Sequence, residues 1–247
     1  MRSMDQAGAE VEEMEGTTEL MRNHTFWQTI ANWIVPQSCA LCRAPSHSLN
    51  LCEACMEELP WTSASWISST DTAHPLLFRS DVLRGVIAPL RYEMPVDRFL
   101  QAFKYQGQTP WALTMAKWIE MCWPKEILWP DIWVPVPLHA SRYRERGFNQ
   151  SVLLARSLAK LRGGCVETQL LRRTRTTPSA AQGKLTIQVR AQQVDHSFEV
   201  AKRNILPKAV CLVDDVLTTG ATLSAAAEVL KTAGVQHVMA CVVARTL

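Results

Sequence analysis

The chain has 247 residues, 47% of them hydrophobic, and a net charge of +3, which allows one α/β domain with its own core plus a small additional module. No run of eighteen or more apolar residues occurs, which excludes a helical membrane insertion, and acidic residues where a signal peptide is basic argue for a cytoplasmic protein. Charge is segregated along the chain: residues 1–20 hold one Arg against six acidic residues, and residues 142–190 hold eleven Arg or Lys against Glu145 and Glu167. The basic block suits a polyanion, either small-molecule phosphates or a nucleic-acid backbone, or is simply a solvated surface.

Residues 1–25 are acidic and unpatterned, and are expected to form a disordered tail. Residues 26–60 comprise an amphipathic helix and a cysteine module. Phe26, Trp27, Ile30, Trp33 and Ile34 recur at helical steps up to Pro36. The module then reads Cys39-x2-Cys42-x9-Cys52-x2-Cys55. Each pair can grip one side of a tetrahedral ion, and four thiolates complete a closed structural Zn²⁺ site; two redox-labile dithiols are the alternative. In a reducing compartment cysteines argue for metal ligation or buried thiols before disulfides. Cys122, Cys165, Cys211 and Cys241 lack ligand spacing and are expected to be buried small hydrophobes.

Residues 61–131 are expected to be a linker and hood-like segment. It is Ser/Thr-rich from Thr62 to Thr72, and continues with a strand at Val86–Tyr92 and helices at Val96–Tyr105 and Trp111–Met121. All nine tryptophans precede residue 134. Trp61 and Trp66, beside the cysteine module, serve either module packing or nucleobase stacking.

Residues 132–247 show repeating strands and helices: a strand at Ile132–Val136, a helix at Asn149–Leu161, and a polar loop from Arg172 to Val194. A buried strand follows at Val210–Val213, then a helix at Thr222–Ala233 closed by Gly234 and a strand at Val238–Ala244. This alternation predicts the α/β class, a mostly parallel sheet flanked by helices.

The most informative string is VCLVDDVLTTGAT, residues 210–222. A parallel strand delivers its C-terminal residues to the crevice where α/β proteins bind ligands, so Asp214 and Asp215 reach the edge of a site. Carboxylates only accept hydrogen bonds, and an adjacent pair matches the two hydroxyls of a ribose. Their repulsion is relieved by Mg²⁺ or by buried donors. Thr218, Thr219, Gly220, Ala221 and Thr222 turn amides and hydroxyls toward one concavity ahead of a helix N-terminus, which suits a phosphate. In VPVPLHASRYRERGFNQS, residues 134–151, two prolines stiffen the exit from a strand into a basic loop. There Arg142, Arg144 and Arg146 offer planar forks for phosphate oxygens, and Asn149 is an N-cap. His139 is read as a solvated surface residue, not as an acid or base.

The first string closely resembles the signature of type I phosphoribosyltransferases. That resemblance implies that Asp214 and Asp215 bind the ribose hydroxyls of 5-phosphoribosyl pyrophosphate, taken with Mg²⁺, and that residues 218–222 bind its 5-phosphate. The second string is similar to the P-V-P-L…R…R-G-F-N-Q block of the ComF/GntX family, which implies that its arginines contact pyrophosphate. The family's mobile-loop pattern is matched by Arg175, Thr177, Gln182, Leu185 and Arg190; it departs at Gln193, Ser197 and Phe198, where the family shows Asn, a small residue and Phe. Cysteine pairs followed by a phosphoribosyltransferase domain extend the likeness over about residues 26–247. Two functions follow from it. One is an enzyme, a phosphoribosyltransferase acting on a nitrogen nucleophile. The other is a non-catalytic competence accessory for DNA uptake, binding single-stranded DNA beside other competence or DNA-processing proteins.

Overall fold

The computed structural model describes residues 37–46, 50–68, 82–105, 110–174 and 197–246. The expected helix at 26–34 and the loop residues Arg175 and Arg190 therefore lie outside the described residues. The chain divides into two units, one ending at Glu58 and the other beginning at Leu59. In the first, β1 (Gln37–Ser38) pairs antiparallel with β2 (Pro45–Ser46), and α1 (Glu53–Glu57) follows.

In the second unit the order is β3 (Trp66–Ser68), β4 (Leu83–Ile87), β5 (Leu90–Arg91), α2 (Val96–Tyr105), α3 (Pro110–Met121), β6 (Ile132–Pro135), α4 (Ala140–Arg146) and α5 (Gln150–Arg162). Then come β7 (Cys165–Val166), β8 (Leu171–Arg173), β9 (Phe198–Val200), β10 (Ala209–Val213), β11 (Val216–Leu217), α6 (Ala221–Ala233), β12 (His237–Cys241) and β13 (Ala244–Arg245).

Among the described residues, the main sheet has the order β3-β4-β12-β10-β6-β7. It is parallel throughout except at β3, which runs antiparallel to β4. The central strand β10 reads Ala-Val-Cys-Leu-Val, and all but its first residue is buried. A strand covered on both faces needs such an unbroken apolar run instead of alternation. Helix α5 packs on β6, β7 and β10, and α6 on β9 and β12, so helices flank the sheet as expected. Leu212, Val134, Ala240, Leu223 and Leu230 join one continuous core. Burying each large aliphatic side chain of that kind contributes roughly 1.5–3 kcal/mol.

The sequence pattern differs from the fold at several points. The Ser/Thr stretch contains β3, which the expected linker hid; Trp66 crosses Gly85 on β4 so closely that a Cβ there would collide with the indole. The sheet thus reaches back across residue 132, where the repeating pattern begins. The expected strand at Val86–Tyr92 is split into β4 and β5, and that at Val238–Ala244 into β12 and β13; β5, β13 and β11 form a second small parallel sheet. The expected loop at Arg172–Val194 starts instead as strand β8, paired antiparallel with β9. Cys211 and Cys241 are buried as expected, but Cys122 is only half-buried and Cys165 is exposed. Cys165 lies on β7, which among the described residues has a partner on one side only.

Among the described residues the tryptophans mostly serve packing. Trp118 and Trp133 are fully buried. Trp123 stacks on Trp129 at 3.9 Å between ring centroids, with Trp133 edge-on to Trp123 and Arg162 lying 5.1 Å from the Trp129 centroid. Among the described residues no helix is long and apolar enough to cross a membrane.

Candidate functional site

Asp214 follows the last residue of β10, the strand held between β6 and β12. Its own N–H donates to the Cys241 carbonyl at 3.1 Å, and the Val136 N–H donates to the Val213 carbonyl at 2.9 Å. These bonds align the carboxyl ends of three parallel strands where the two aspartates emerge. Asp214 Oδ1 accepts the Ser151 hydroxyl at 3.1 Å and the Asp215 N–H at 2.9 Å. Asp215 Oδ2 forms a 2.9 Å ion pair with Lys104 Nζ. The carboxylates therefore have different partners although they are neighbours in sequence.

The surrounding helices are fixed by the residues that start and end them. Asn149 caps α5: its Oδ1 accepts the Ser151 N–H at 3.0 Å, while its Nδ2 donates to the Val136 carbonyl beyond β6 at 3.0 Å. One side chain thus ties the start of α5 to the strand exit and places Ser151 against Asp214. The buried Gln150 donates through Nε2 to the Lys104 carbonyl at 3.4 Å, joining α5 to the last turn of α2.

Electrostatically the pair is under strain. Burial, followed by the neighbouring charge of Asp215, raises the Asp214 carboxyl to about 7, against the opposing effects of Lys104 and Ser151. For Lys104 burial acts downward, but the charges of Asp215 and Asp214 outweigh it and the ammonium is held more firmly than usual. Arg173 on β8 is pulled down by burial and by Arg142, and pulled up by Asp214.

Beyond the aspartates, β11 leads to the Thr218–Gly220 turn and α6. Gly220 has φ +81°, in the left-handed region that favours glycine, and immediately precedes the helix. It offers α6 no capping side chain, while the Thr219 hydroxyl accepts the Ala221 N–H at 3.4 Å. Thr218 and Thr219 are exposed, and Ala221 and Thr222 are partly so. A helix N-terminus behind such a turn presents N–H groups and a positive dipole end to an anion.

Arg142, Arg144 and Arg146 are not in a loop, as the sequence suggests, but on α4, which His139 opens by accepting the Ser141 N–H at 3.2 Å. His139 is thus a helix cap. On a helix, Arg142 and Arg146 fall on one face and the exposed Arg144 on another. The Arg146 guanidinium lies 5.2 Å from the centroid of Tyr105, the residue after Lys104. Sequence reasoning brought the two aspartates, the turn and this basic segment to one domain, but missed Lys104, Ser151 and Arg173.

The second half of this domain, residues 147–247, matches the phosphoribosyl transferase domain family. Competence protein F of Haemophilus influenzae is 30% identical over 161 residues, which cover 62% of this chain and 69% of that protein. The chain belongs to the ComF-like phosphoribosyltransferase family. The DNA utilization protein YhgH of Salmonella typhimurium is 28% identical over 228 residues, 86% of this chain and 99% of that protein. YhgH of Escherichia coli is 34% identical over 118 residues, 48% of this chain and 51% of that protein. The paired cysteines of the first unit form a second cluster.

Cys39, Cys42, Cys52 and Cys55 bring their sulfurs within 4.8 Å of one another. A tetrahedral ion with metal–sulfur bonds of about 2.3 Å sets its sulfurs about 3.8 Å apart. Cys42 Sγ and Cys52 Sγ are 3.5 Å apart, so the donor set fits. Arg43, at φ +63°, turns the chain after the first pair, and the Ala40 N–H donates to the Asn50 carbonyl at 2.9 Å, clamping the two knuckles together. Burial raises the Cys39 thiol, yet hydrogen bonds from the Cys42, Cys52 and Leu41 backbone outweigh it and bring the thiol to about 6. Contact with neighbouring thiols raises Cys55. Four thiols crowded together cannot all ionise unless a cation shares their charge. These residues could hold one metal ion.

Proposed function

We propose that this protein binds 5-phosphoribosyl pyrophosphate and transfers its phosphoribosyl group to a nitrogen nucleophile. The observation that carries this reading is the pair Asp214–Asp215 at the carboxyl end of the central strand, followed by a Thr/Gly turn with Gly220 in the left-handed conformation. Asp214 and Asp215 accept the ribose hydroxyls, and residues 218–222 cradle the 5-phosphate. Arg142 and Arg146 face the pyrophosphate, joined by Arg175 and Arg190 from the segment beyond β8. The bond from ribose C1 to the pyrophosphate oxygen breaks, a bond from C1 to nitrogen forms, and the nitrogen's proton leaves with pyrophosphate. Charge develops at C1 and on the leaving group, so preoriented carboxylates and guanidinium groups lower the barrier electrostatically. Mg²⁺ taken with the donor would neutralise the leaving pyrophosphate; of the two carboxylates, Asp214 is the one not paired with an ammonium among the described residues. In the first unit the four cysteines hold a structural zinc, the metal that closed four-thiolate sites favour.

A second reading is supported by relatives named for competence and DNA utilization and by the exposed Arg144 on α4: a non-catalytic protein that binds single-stranded DNA. Calorimetry separates the two. The first reading expects saturable binding of 5-phosphoribosyl pyrophosphate with Mg²⁺. The second expects no donor binding, and instead DNA binding that weakens by orders of magnitude between about 50 and 200 mM salt.

A further inference from the structure

Two carboxylates on consecutive residues at a strand end ordinarily call for a divalent cation. Here one of them already has a cation. Lys104 Nζ lies 2.9 Å from Asp215 Oδ2, with the two side chains only 20% and 15% exposed. The ammonium reaches the site from α2, a different element from the strand that carries the aspartates, and that helix is fixed along its length. Leu100 and Phe103, on its inward face, are fully buried. The buried Gln150 holds the Lys104 carbonyl at 3.4 Å, and Arg146 lies over the ring of the next residue, Tyr105. Asp214 is engaged differently, by the Ser151 hydroxyl. The pair thus meets one lysine and one hydroxyl, each delivered by a well-anchored helix.

Resting on the reading above, we propose that Lys104 is the built-in counter-cation of the ribose site, occupying at Asp215 the place a divalent ion would otherwise take, so that the carboxylate pair accepts a phosphoribosyl donor with little need of Mg²⁺. An ammonium in contact with a carboxylate oxygen excludes a metal from that oxygen. It also offsets part of the repulsion between two ionised neighbours. A lysine serving only to hold α2 against the sheet would change stability on substitution and leave the metal response of the site untouched.

The test uses the full-length chain with its cysteine module loaded with zinc. Mn²⁺ is titrated, with free Mn²⁺ followed by electron paramagnetic resonance, into wild type, Lys104→Gln, Lys104→Arg and Lys104→Gln with Asp215→Asn. Lys104→Gln should gain a Mn²⁺ site at least about tenfold tighter than any in the wild type. Adding Asp215→Asn should remove that gain, and Lys104→Arg, which keeps the charge, should show none. In parallel, donor binding is measured with Mg²⁺ and in Mg²⁺-free buffer. The wild type should weaken by less than about tenfold without Mg²⁺, and Lys104→Gln by more, with recovery when Mg²⁺ is restored. Donor binding without any Mn²⁺ gain in Lys104→Gln, or the same Mg²⁺ dependence in both proteins, overturns the role of Lys104 alone. A gained Mn²⁺ site with no donor binding by any form leaves Lys104 as the counter-cation and overturns the donor reading.

Discussion

Asp214 and Asp215 should respond to the same substitution in opposite directions, because one is under strain and the other is the partner of a buried lysine. Burial and the charge of Asp215 take Asp214 from an ordinary 3.8 to about 7. Its folded value exceeds its unfolded one, so the folded chain binds more protons between about pH 4 and 7 and stability falls as pH rises through that window. Three units at about 1.4 kcal/mol each give a ceiling of about 4 kcal/mol. Partial exposure and the bond surrendered by Ser151 reduce the gain from Asp214→Asn to about 1–2 kcal/mol at pH 8. Asp215→Asn leaves the Lys104 ammonium, 20% exposed, without its carboxylate, a loss of about 1–3 kcal/mol. Thermal unfolding at pH 5 and pH 8, followed through the fluorescence of the buried Trp118 and Trp133, measures both. At about 2–4 °C per kcal/mol for a chain of this size, Asp214→Asn should raise Tm by about 2–8 °C at pH 8 and by clearly less at pH 5. Asp215→Asn should lower Tm at pH 8, and both amides should lose donor binding. An Asp214→Asn protein that is destabilised at pH 8, or gains equally at both pH values, would refute this account of the pair.

Gly220→Val forces a β-branched residue to φ +81°, costing about 1–3 kcal/mol. It should abolish donor binding in calorimetry while the far-ultraviolet spectrum stays native; donor binding at wild-type strength would remove residues 218–222 from the 5-phosphate site. Metal analysis of purified protein should find about one zinc per chain. Cys52→Ser should release it and speed amide exchange across residues 37–58, with protection in β10 and β12 unchanged.

The strand before Asp214 was legible because burial on both faces demands consecutive apolar residues, a pattern that survives without tertiary information. Helix α2 was legible from Val96, Leu100 and Phe103 at helical spacing. Its Lys104 was not, because a lysine on an amphipathic helix looks like solvent-facing charge until the sheet edge beside it is known. Ser151 was hidden for a similar reason: two residues after an expected cap, it gives no sign of the Asp214 carboxylate, 63 residues away in sequence. Helix α4 read as a loop because its seven residues, Ala-Ser-Arg-Tyr-Arg-Glu-Arg, bury none of their side chains. Strand β3 escaped notice because Trp66–Ser68 is short and sits in a Ser/Thr stretch whose composition suggests a linker. The cysteine module needed no tertiary information, since ligand pairs are local in the chain.

The order of the main sheet bears on how such a site can be inherited. The conspicuous signature and the matched region both lie after residue 146, yet β10 is flanked by β6 and β12 by β4, and both outer partners come from earlier in the chain. A recombination breakpoint at residue 147 would strip both flanks of the β10–β12 pair and carry away Lys104, leaving two bare strand edges and a carboxylate pair without its ammonium. The aspartate signature is therefore not a self-sufficient cassette: seating its two strands in this sheet takes β4 and β6, and pairing its carboxylates takes Lys104, all from earlier in the chain.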